Sequence, residues 1–299
     1  MSRKEEIFKS GFIGIIGRPN VGKSTLMNAV IGEKLAITTH KPQTTRNRIT
    51  GIRNWENGQF IFLDTPGIHR ADTPLNRSMV TAAVNTFADV ELLLLLVEAG
   101  SKLTADDTFI LESLENISKP VILVINKIDL IEKERLLTLI EKLRHLYPFR
   151  EIIPLSALKE FGIDMLMKAL WTHLPEGPKY FPDDMMTDST ERFLAAEMIR
   201  EKVLLLTHQE IPYSTAVVID SFKEDEAKNL IRIHATINVE KGSQKGIIIG
   251  KQGAMLRKIG TKARIEMERF FGTRIYLELF VKVSKDWTKN PRMLEEFGY

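Results

Sequence analysis

Gly17-Arg18-Pro19-Asn20-Val21-Gly22-Lys23-Ser24 follows the short apolar run 12–16 and leads into Thr25-Leu26-Met27-Asn28-Ala29-Val30-Ile31. An apolar strand feeding a G-x-x-x-x-G-K-S turn that opens a helix points a fan of backbone N–H groups at one spot. Gly17 and Gly22 let the chain wrap closely around phosphate oxygens. Lys23 is placed to reach β- and γ-phosphates, and the Ser24 hydroxyl to ligate Mg²⁺. The stretch predicts an α/β fold with a nucleoside triphosphate site.

Two further motifs decide which triphosphate. The apolar run 60–63 ends in Asp64-Thr65-Pro66-Gly67. An Asp at a strand end can hold Mg²⁺ through water, and the Gly67 N–H can sense a γ-phosphate. The run 120–125 ends in Asn126-Lys127-Ile128-Asp129. There the Asp129 carboxylate can accept from the N1–H and exocyclic amine of guanine. Adenine lacks that pair of donors and would leave the carboxylate unpaired. Ser156-Ala157-Leu158, after the apolar run 151–155, fits a loop closing over the base by its position alone. Three motifs in this order, each ending an apolar strand, predict GTP and GDP as ligands and GTP hydrolysis as the activity.

The remaining pattern supports a two-domain chain. At 299 residues there is length for two cores. Strands are expected at 12–16, 47–55, 60–64, 91–98, 120–125 and 150–155. Helices are expected at 23–32, 74–88, 105–117, 132–147 and 162–173. A hairpin turn at Glu56-Asn57-Gly58 joins the second strand to the third. Motifs at the carboxyl ends of strands in a mostly parallel sheet suit a P-loop domain over 1–176. Turn formers then mark a linker at 177–190. The second part, 191–299, reads as a smaller α+β domain in the order α-β-β-α-α-β. Its elements fall at 191–206, 214–222, 230–239, a short helix before residue 250, 254–271 and 274–283.

Charge separates the two parts. Residues 1–189 carry 23 Lys and Arg against 24 Asp and Glu, whereas 190–299 carry 19 against 15. Nine basic and two acidic residues lie within 241–274. There Gly250-Lys251-Gln252-Gly253, between two helices, would let a nucleic-acid backbone pass close to the chain. Lys251, Arg257 and Lys258 would face phosphates, and Ile248 and Ile249 would line a base-accepting groove. Single-stranded RNA suits such a groove, because unstacked bases can be read on their edges. The same basic helix could lie on anionic lipid, which gives the alternative of a membrane-associated signalling GTPase.

Other classes are disfavoured. With no cysteine there are no disulfides or thiolate metal sites, and the six histidines show no paired ligand spacing. The charged N-terminus does not read as a signal peptide. The run 92–97 is far shorter than the roughly 20 residues of a membrane span. The expectation is a soluble cytoplasmic protein.

G-R-P-N-V-G-K-S, P-Q-T-T-R at 42–46, D-T-P-G-I-H at 64–69, N-K-I-D and the late G-x-x-G together resemble the Era family of the TrmE-Era class of GTPases. These are bacterial proteins that pair a Ras-like domain with a type II KH domain. The resemblance implies binding near the 3′ end of 16S rRNA and a role in assembling the 30S ribosomal subunit. It also implies peripheral association with the cytoplasmic face of the inner membrane. It makes Thr44 or Thr45 the switch threonine that completes Mg²⁺ coordination, with Thr45 favoured. Lys23, Asn20, Thr45 and Gly67 become the catalytic set. Ras carries a water-orienting glutamine after Asp-x-x-Gly, but this chain has Ile68. Intrinsic hydrolysis is therefore expected at about 10⁻² s⁻¹ or slower. Asn20 matches the position that ligates K⁺ in potassium-stimulated relatives. Residues 37–50 and 67–77 would be the switches.

Overall fold

The computed structural model describes residues 7–39, 41, 44–68, 74–115, 117–208 and 211–299. Pro42 and Gln43 of the P-Q-T-T-R run, His69, and parts of both expected switches lie outside them. The described residues form two compact units. The first gathers those within Met1–Ala36, Thr45–Ala71 and Arg77–Asp188, and the second those within Ile37–Thr44, Asp72–Asn76 and Ser189–Tyr299.

The first unit is built on β1 (Lys9–Gly17), α1 (Lys23–Ile31), β2 (Ile49–Trp55), β3 (Gly58–Asp64), α2 (Pro74–Asn85), β4 (Leu92–Glu98), α3 (Ala105–Leu114), β5 (Val121–Asn126), α4 (Lys133–Leu143), β6 (Glu151–Pro154) and α5 (Ile163–His173). Its sheet runs β2-β3-β1-β4-β5-β6. Only the β2–β3 hairpin is antiparallel. The chain steps from β1 to β3 and then across to β4, so the order reverses beside β1. Loops at the carboxyl ends of strands open there, which is where such sheets bind ligands. The core explains the near-continuous apolar strands. Ile16, Ile61, Leu93, Leu95, Leu123 and Ile125 sit in one buried cluster, as strands covered on both faces require.

The expected linker is not a free tether over its length. Gln59 accepts from the N–H groups of Tyr180 and Phe181 at 2.8 and 2.9 Å. The Ile52 N–H donates to Met186 O at 2.8 Å, and the Thr187 hydroxyl to Thr50 O at 2.6 Å. Backbone groups left over on edge strand β2 take up this segment as an irregular strap, so the first unit extends to Asp188.

The second unit contains α6 (Glu191–Leu206), β7 (Ala216–Asp225), β8 (Leu230–Val239), α7 (Gly242–Ile249), α8 (Ala254–Phe271), β9 (Arg274–Val283) and α9 (Pro291–Glu296). Strand β8 pairs antiparallel with β7 and parallel with β9. The order through β9 is that of a type II KH domain. Ile199, Ile233, Ile237, Ile259, Ala263 and Met267 share its core. The Thr190 side chain caps α6 by accepting from the Phe193 N–H.

Ile37–Thr44 also belongs to this unit. The Thr38 N–H donates to a Glu201 carboxylate oxygen at 3.0 Å. The Lys41 ammonium donates to the carbonyls of Leu204 and Thr207 at the end of α6, where a cation complements the helix dipole. Arg200, 1% exposed, donates to the Thr44 carbonyl and pairs with Glu197. The chain therefore passes from one unit to the other between Thr44 and Thr45.

Candidate functional site

The loop after β1 is held by its unusual backbone. Gly17, Asn20 and Gly22 have φ of 147°, 65° and 100°. A Cβ at Gly22 would lie 2.2 Å from Asn126 Nδ2, so glycine is required by close approach as well as by φ. The Lys23 ammonium folds back onto the carbonyls of Gly17 and Arg18 at 3.1 and 3.0 Å. Pro19, Val21 and Thr25 complete the loop and the first turn of α1. The Arg18 side chain turns away and pairs with Asp107 at 2.8 Å.

At the end of β3 a small polar cluster forms around the buried Asp64 carboxylate. The Ser24 hydroxyl donates to Asp64 Oδ2 at 2.7 Å and lies 2.8 Å from the Thr45 hydroxyl. Thr45 itself donates to Asp64 Oδ2 at 3.4 Å. The other carboxylate oxygen, Asp64 Oδ1, is buried without a hydrogen-bond partner. Thr44 sits elsewhere, with its hydroxyl 2.6 Å from the Lys41 carbonyl. Burial pushes Asp64 up to about 6, against the pull of the Lys23 charge and the Ser24 and Thr45 hydroxyls. Burial pushes Lys23 down to about 8, with the Asp64 charge opposing it.

Thr65 is tied to β1 by a 2.7 Å bond from its hydroxyl to Ile15 O, and Pro66 is buried beside it. Gly67 passes so close to the phosphate loop that a Cβ there would meet Pro19 at 2.7 Å. Ile68 is fully buried, and its N–H donates to Gly17 O at 3.2 Å. It offers no polar group to a water.

At the carboxyl end of β5, Asn126 joins three loops. Its amide donates to Val21 O at 2.8 Å, while its Oδ1 accepts from the N–H groups of Lys127 and Ala157 at 2.8 and 3.0 Å. Lys127 has φ 64°, and the Ile128 N–H donates to Leu155 O. The Ser156 hydroxyl donates to Asp129 Oδ1 at 2.5 Å, which aims a carboxylate that is otherwise open to solvent. Leu158 is 74% exposed beside it. The four nucleotide motifs thus meet at one rim of the sheet.

In the second unit, Gly250 and Gly253 have φ of 71° and 76°, and Gln252 between them 51°. A Cβ at Gly250 would lie 2.7 Å from Met255 Cβ, whereas at Gly253 nothing lies within 4 Å. Lys251, Gln252, Arg257 and Lys258 are exposed around this turn. Ile248 does not line it. Ile248 is fully buried in the core, one helical turn from buried Gln244, and Ile249 is partly buried against the same core. The isoleucine of α7 presented to solvent is Ile247, 47% exposed. The helix phase decides this, because Ile247 and Ile249 stand about 100° to either side of the inward-facing Ile248.

Comparison with known proteins names the architecture. Residues 12–127 match the 50S ribosome-binding GTPase family, and residues 210–288 match the KH domain family. GTPase Era of Syntrophus aciditrophicus is 69% identical over 293 residues, covering 98% of this chain and 96% of that one. The chain belongs to the Era family of GTPases. GTPase Era of Geotalea uraniireducens is 56% identical across 99% of both chains. A crystal structure of an Aquifex aeolicus Era variant bound to GDP·AlF4⁻ superposes with TM-score 0.95 at 42% identity, covering 98% of this chain and 99% of that one. So does Era in complex with MgGDPNP and nucleotides 1506–1542 of 16S ribosomal RNA, with the same values. As an Era-family member the chain is a GTPase of Ras-like fold carrying a KH domain.

Two features of the candidate site carry no signal in the sequence. Asp107 and Ser101 hold Arg18, and Glu98 holds Lys127. No spacing signals them, since they lie outside every nucleotide motif.

Proposed function

We propose that this chain is a Mg²⁺-dependent, GTP-driven switch that binds the 3′ region of 16S rRNA and acts in assembly of the 30S ribosomal subunit. The observation that carries this reading is one full-length relative, 42% identical, holding MgGDPNP and nucleotides 1506–1542 of 16S rRNA in the same complex. The match to the 50S ribosome-binding GTPase family spans residues 12–127, within the GTPase unit, whereas the KH unit supplies the RNA-facing loop.

Ser24, Thr45 and Asp64 are the residues that would hold Mg²⁺. A buried, unpartnered carboxylate oxygen beside two hydroxyls is a hard oxygen donor set of the kind this ion takes. When bound, the ion neutralises charge on the β- and γ-phosphates. Lys23 exchanges its two carbonyl partners for phosphate, Gly67 presents its N–H to the γ-phosphate, and Asp129 reads guanine. With Ile68 buried and apolar, no side chain at that position orients water, and intrinsic turnover is slow. Asn20 in our reading ligates K⁺, which would supply charge that an arginine finger supplies elsewhere. Equal hydrolysis rates in KCl and NaCl would remove that assignment.

Lys251, Arg257 and Lys258 contact RNA phosphates, while Gly250 and Gly253 let the backbone approach. Lipid binding is the weaker reading for this face. The apolar side of α8 packs into the unit's own core through Ile259, Ala263 and Met267, and its outer face presents charges with one exposed aliphatic residue, Ile265, too little apolar surface to seat a helix in a membrane. Among the described residues no helix is long and apolar enough to cross a membrane.

The test is affinity for a short RNA copying the 3′ end of 16S rRNA, measured with a GTP analogue and with GDP. Tight, sequence-selective binding that differs between nucleotides supports the switch. Sequence-blind binding indifferent to nucleotide would refute it. Gly253→Asp is the control, because it adds repulsion to phosphate where a Cβ meets no neighbouring atom, with only the positive-φ strain that Asp tolerates better than most residues, whereas any side chain at Gly250 also clashes with Met255.

A further inference from the structure

A segment outside every nucleotide motif holds both ends of the nucleotide site. At the end of β4, the Glu98 carboxylate lies 3.0 Å from the Lys127 ammonium, and the Ala99 N–H donates to Asn126 O at 2.8 Å. The chain turns at Gly100, with φ 81°. The Ser101 hydroxyl then donates to Glu98 O at 3.0 Å and accepts from Arg18 at 3.1 Å. Asp107, 6% exposed, accepts from Arg18 Nε at 2.8 Å through Oδ1. Its Oδ2 accepts from the Thr104 N–H and hydroxyl at 2.8 and 3.0 Å.

These contacts fall on residues whose backbones need holding. Arg18 lies two residues before Asn20, which has positive φ, and its carbonyl is one of two that receive Lys23. Lys127, also at positive φ, stands between Asn126 and Asp129. Positive φ in a residue other than glycine costs on the order of 1–3 kcal/mol and persists only where surroundings impose it. At the phosphate end the buried Asp107 carboxylate anchors the Arg18 side chain, two residues before Asn20. It is fixed in turn by the first turn of α3, whose N–H groups favour negative charge. At the base end Glu98 anchors the Lys127 side chain.

We propose that Asp107 and Glu98 are positioning residues for guanine-nucleotide binding, acting through Arg18 and Lys127, so that the segment 98–107 sets the phosphate loop and the base-reading loop as one frame. The inference rests on the nucleotide site described above. Neither carboxylate contacts the nucleotide in this role. Their removal weakens binding by loosening one end or the other, and the two ends are separable by the ligand chosen. GTP and ITP share every phosphate and differ only in the exocyclic amine that Asp129 reads.

The experiment is equilibrium binding of GDP, GTP and ITP to the full chain and to Asp107→Asn, Arg18→Ala, their double variant and Glu98→Gln, each also followed by thermal unfolding without nucleotide. Asp107→Asn and Arg18→Ala should each weaken GDP by about tenfold, the scale of one lost charge-assisted bond. Their GTP-to-ITP ratio should be unchanged. The double variant should be no weaker than the worse single one, because both remove the same contact. Glu98→Gln should instead lower the GTP-to-ITP ratio. Arg18→Ala keeps Asp107 bound to Thr104, so it decides the matter if Asp107→Asn does not fold. GDP affinity within twofold of the unmodified chain in Arg18→Ala overturns the inference, as does lost thermal stability without lost affinity in the folded variants. An unmodified chain that fails to bind GDP overturns the nucleotide site itself and the positioning role with it.

Discussion

The Thr45 hydroxyl lies 2.8 Å from the Ser24 hydroxyl, and both donate to the same oxygen of Asp64. Thr44, its neighbour, turns to the Lys41 carbonyl instead. The two threonines are therefore separable by experiment. Thr45→Ala should weaken Mg²⁺-GTP analogue relative to GDP by about tenfold or more, since a hydroxyl bonded to a charged group contributes about 1.5–3 kcal/mol. Thr44→Ala should leave that ratio within about twofold. Titration with a fluorescent GTP analogue at fixed Mg²⁺ reads both, and equal losses would reassign the ligand.

The buried charges at this site give a pH dependence of known sign. Lys23, held down to about 8, must be protonated to meet phosphate. Raising the pH above about 8 deprotonates it in the nucleotide-free protein, so GDP affinity should fall by up to tenfold per unit. Asp64, pushed up to about 6, must be ionised to serve Mg²⁺. Lowering the pH below about 6 should therefore reduce the Mg²⁺-dependent part of the affinity. For stability the signs are opposite to those of a stabilising pair. Each folded-state pKa favours the neutral form. Stability without nucleotide should rise with pH between about 8 and 10.5 through Lys23, and fall between about 3.8 and 6 through Asp64. Calorimetry of Lys23→Met and Asp64→Asn checks the two limbs separately.

Ser156 donates to Asp129 Oδ1 at 2.5 Å and leaves Oδ2 for a second contact. Replacing this carboxylate by an amide exchanges an acceptor for a donor, which matches the 2-carbonyl of xanthine. Asp129→Asn should lose GTP affinity by on the order of 10³ or more and gain for xanthosine triphosphate, because a site built for hydrogen bonds rejects mismatched partners strongly. Competition between the two nucleotides for the variant is the readout. Unchanged preference would remove Asp129 from base recognition.

The nucleotide site was legible because its chemistry is local. Each motif is a short run at a strand end, and the apolar strands supply their own order. What escaped was contact between residues far apart in sequence. Asp107 is an ordinary helix-cap acid until Arg18, 89 positions earlier, is seen beside it. Ile248 was misplaced for a different reason. In the run Ile247-Ile248-Ile249 composition is uniform, and only the packing of α7 shows which one faces inward. The contacts of Thr38, Lys41 and Thr44 with α6 escaped because polar residues outside regular elements carry no periodic signal of their partners.

Lys41 offers the cleanest test of how that loop is held. Its ammonium caps the carbonyl end of α6, and partial burial lowers its pKa. Lys41→Met keeps the stem and removes the charge. If Ile37–Thr44 carries nucleotide state into the second unit, this variant should bring the ratio of RNA affinities in GTP analogue and GDP toward one. GDP affinity itself should stay within about threefold, since only a contact at a helix end, about 0.3–1 kcal/mol, is lost. An unchanged RNA ratio would place the coupling elsewhere.

Trp287 is the residue whose role the sequence least revealed. It follows β9 in what reads as a polar tail, yet it is fully buried. Its indole N–H donates to Ser214 O at 3.0 Å, and its ring packs 5.4 Å from Phe297 and 5.7 Å from Tyr299. Asn290 and Pro291 start α9 as N-cap and first helical residue, which turns the last aromatic residues back onto the indole. A six-residue helix is too short to hold itself, so the tail depends on this ring. Trp287→Ala should cost about 3–5 kcal/mol in the second unit. Trp287→Phe, which keeps most of the ring and loses the hydrogen bond, should cost about 1–3 kcal/mol. The other two tryptophans, Trp55 and Trp171, lie in the first unit, so in these variants urea unfolding followed by tryptophan fluorescence reports that unit, circular dichroism reports both, and GDP binding is measured in parallel. Loss of second-unit stability with GDP affinity intact is expected. Full stability in Trp287→Ala would mean that the tail contributes nothing to the KH core.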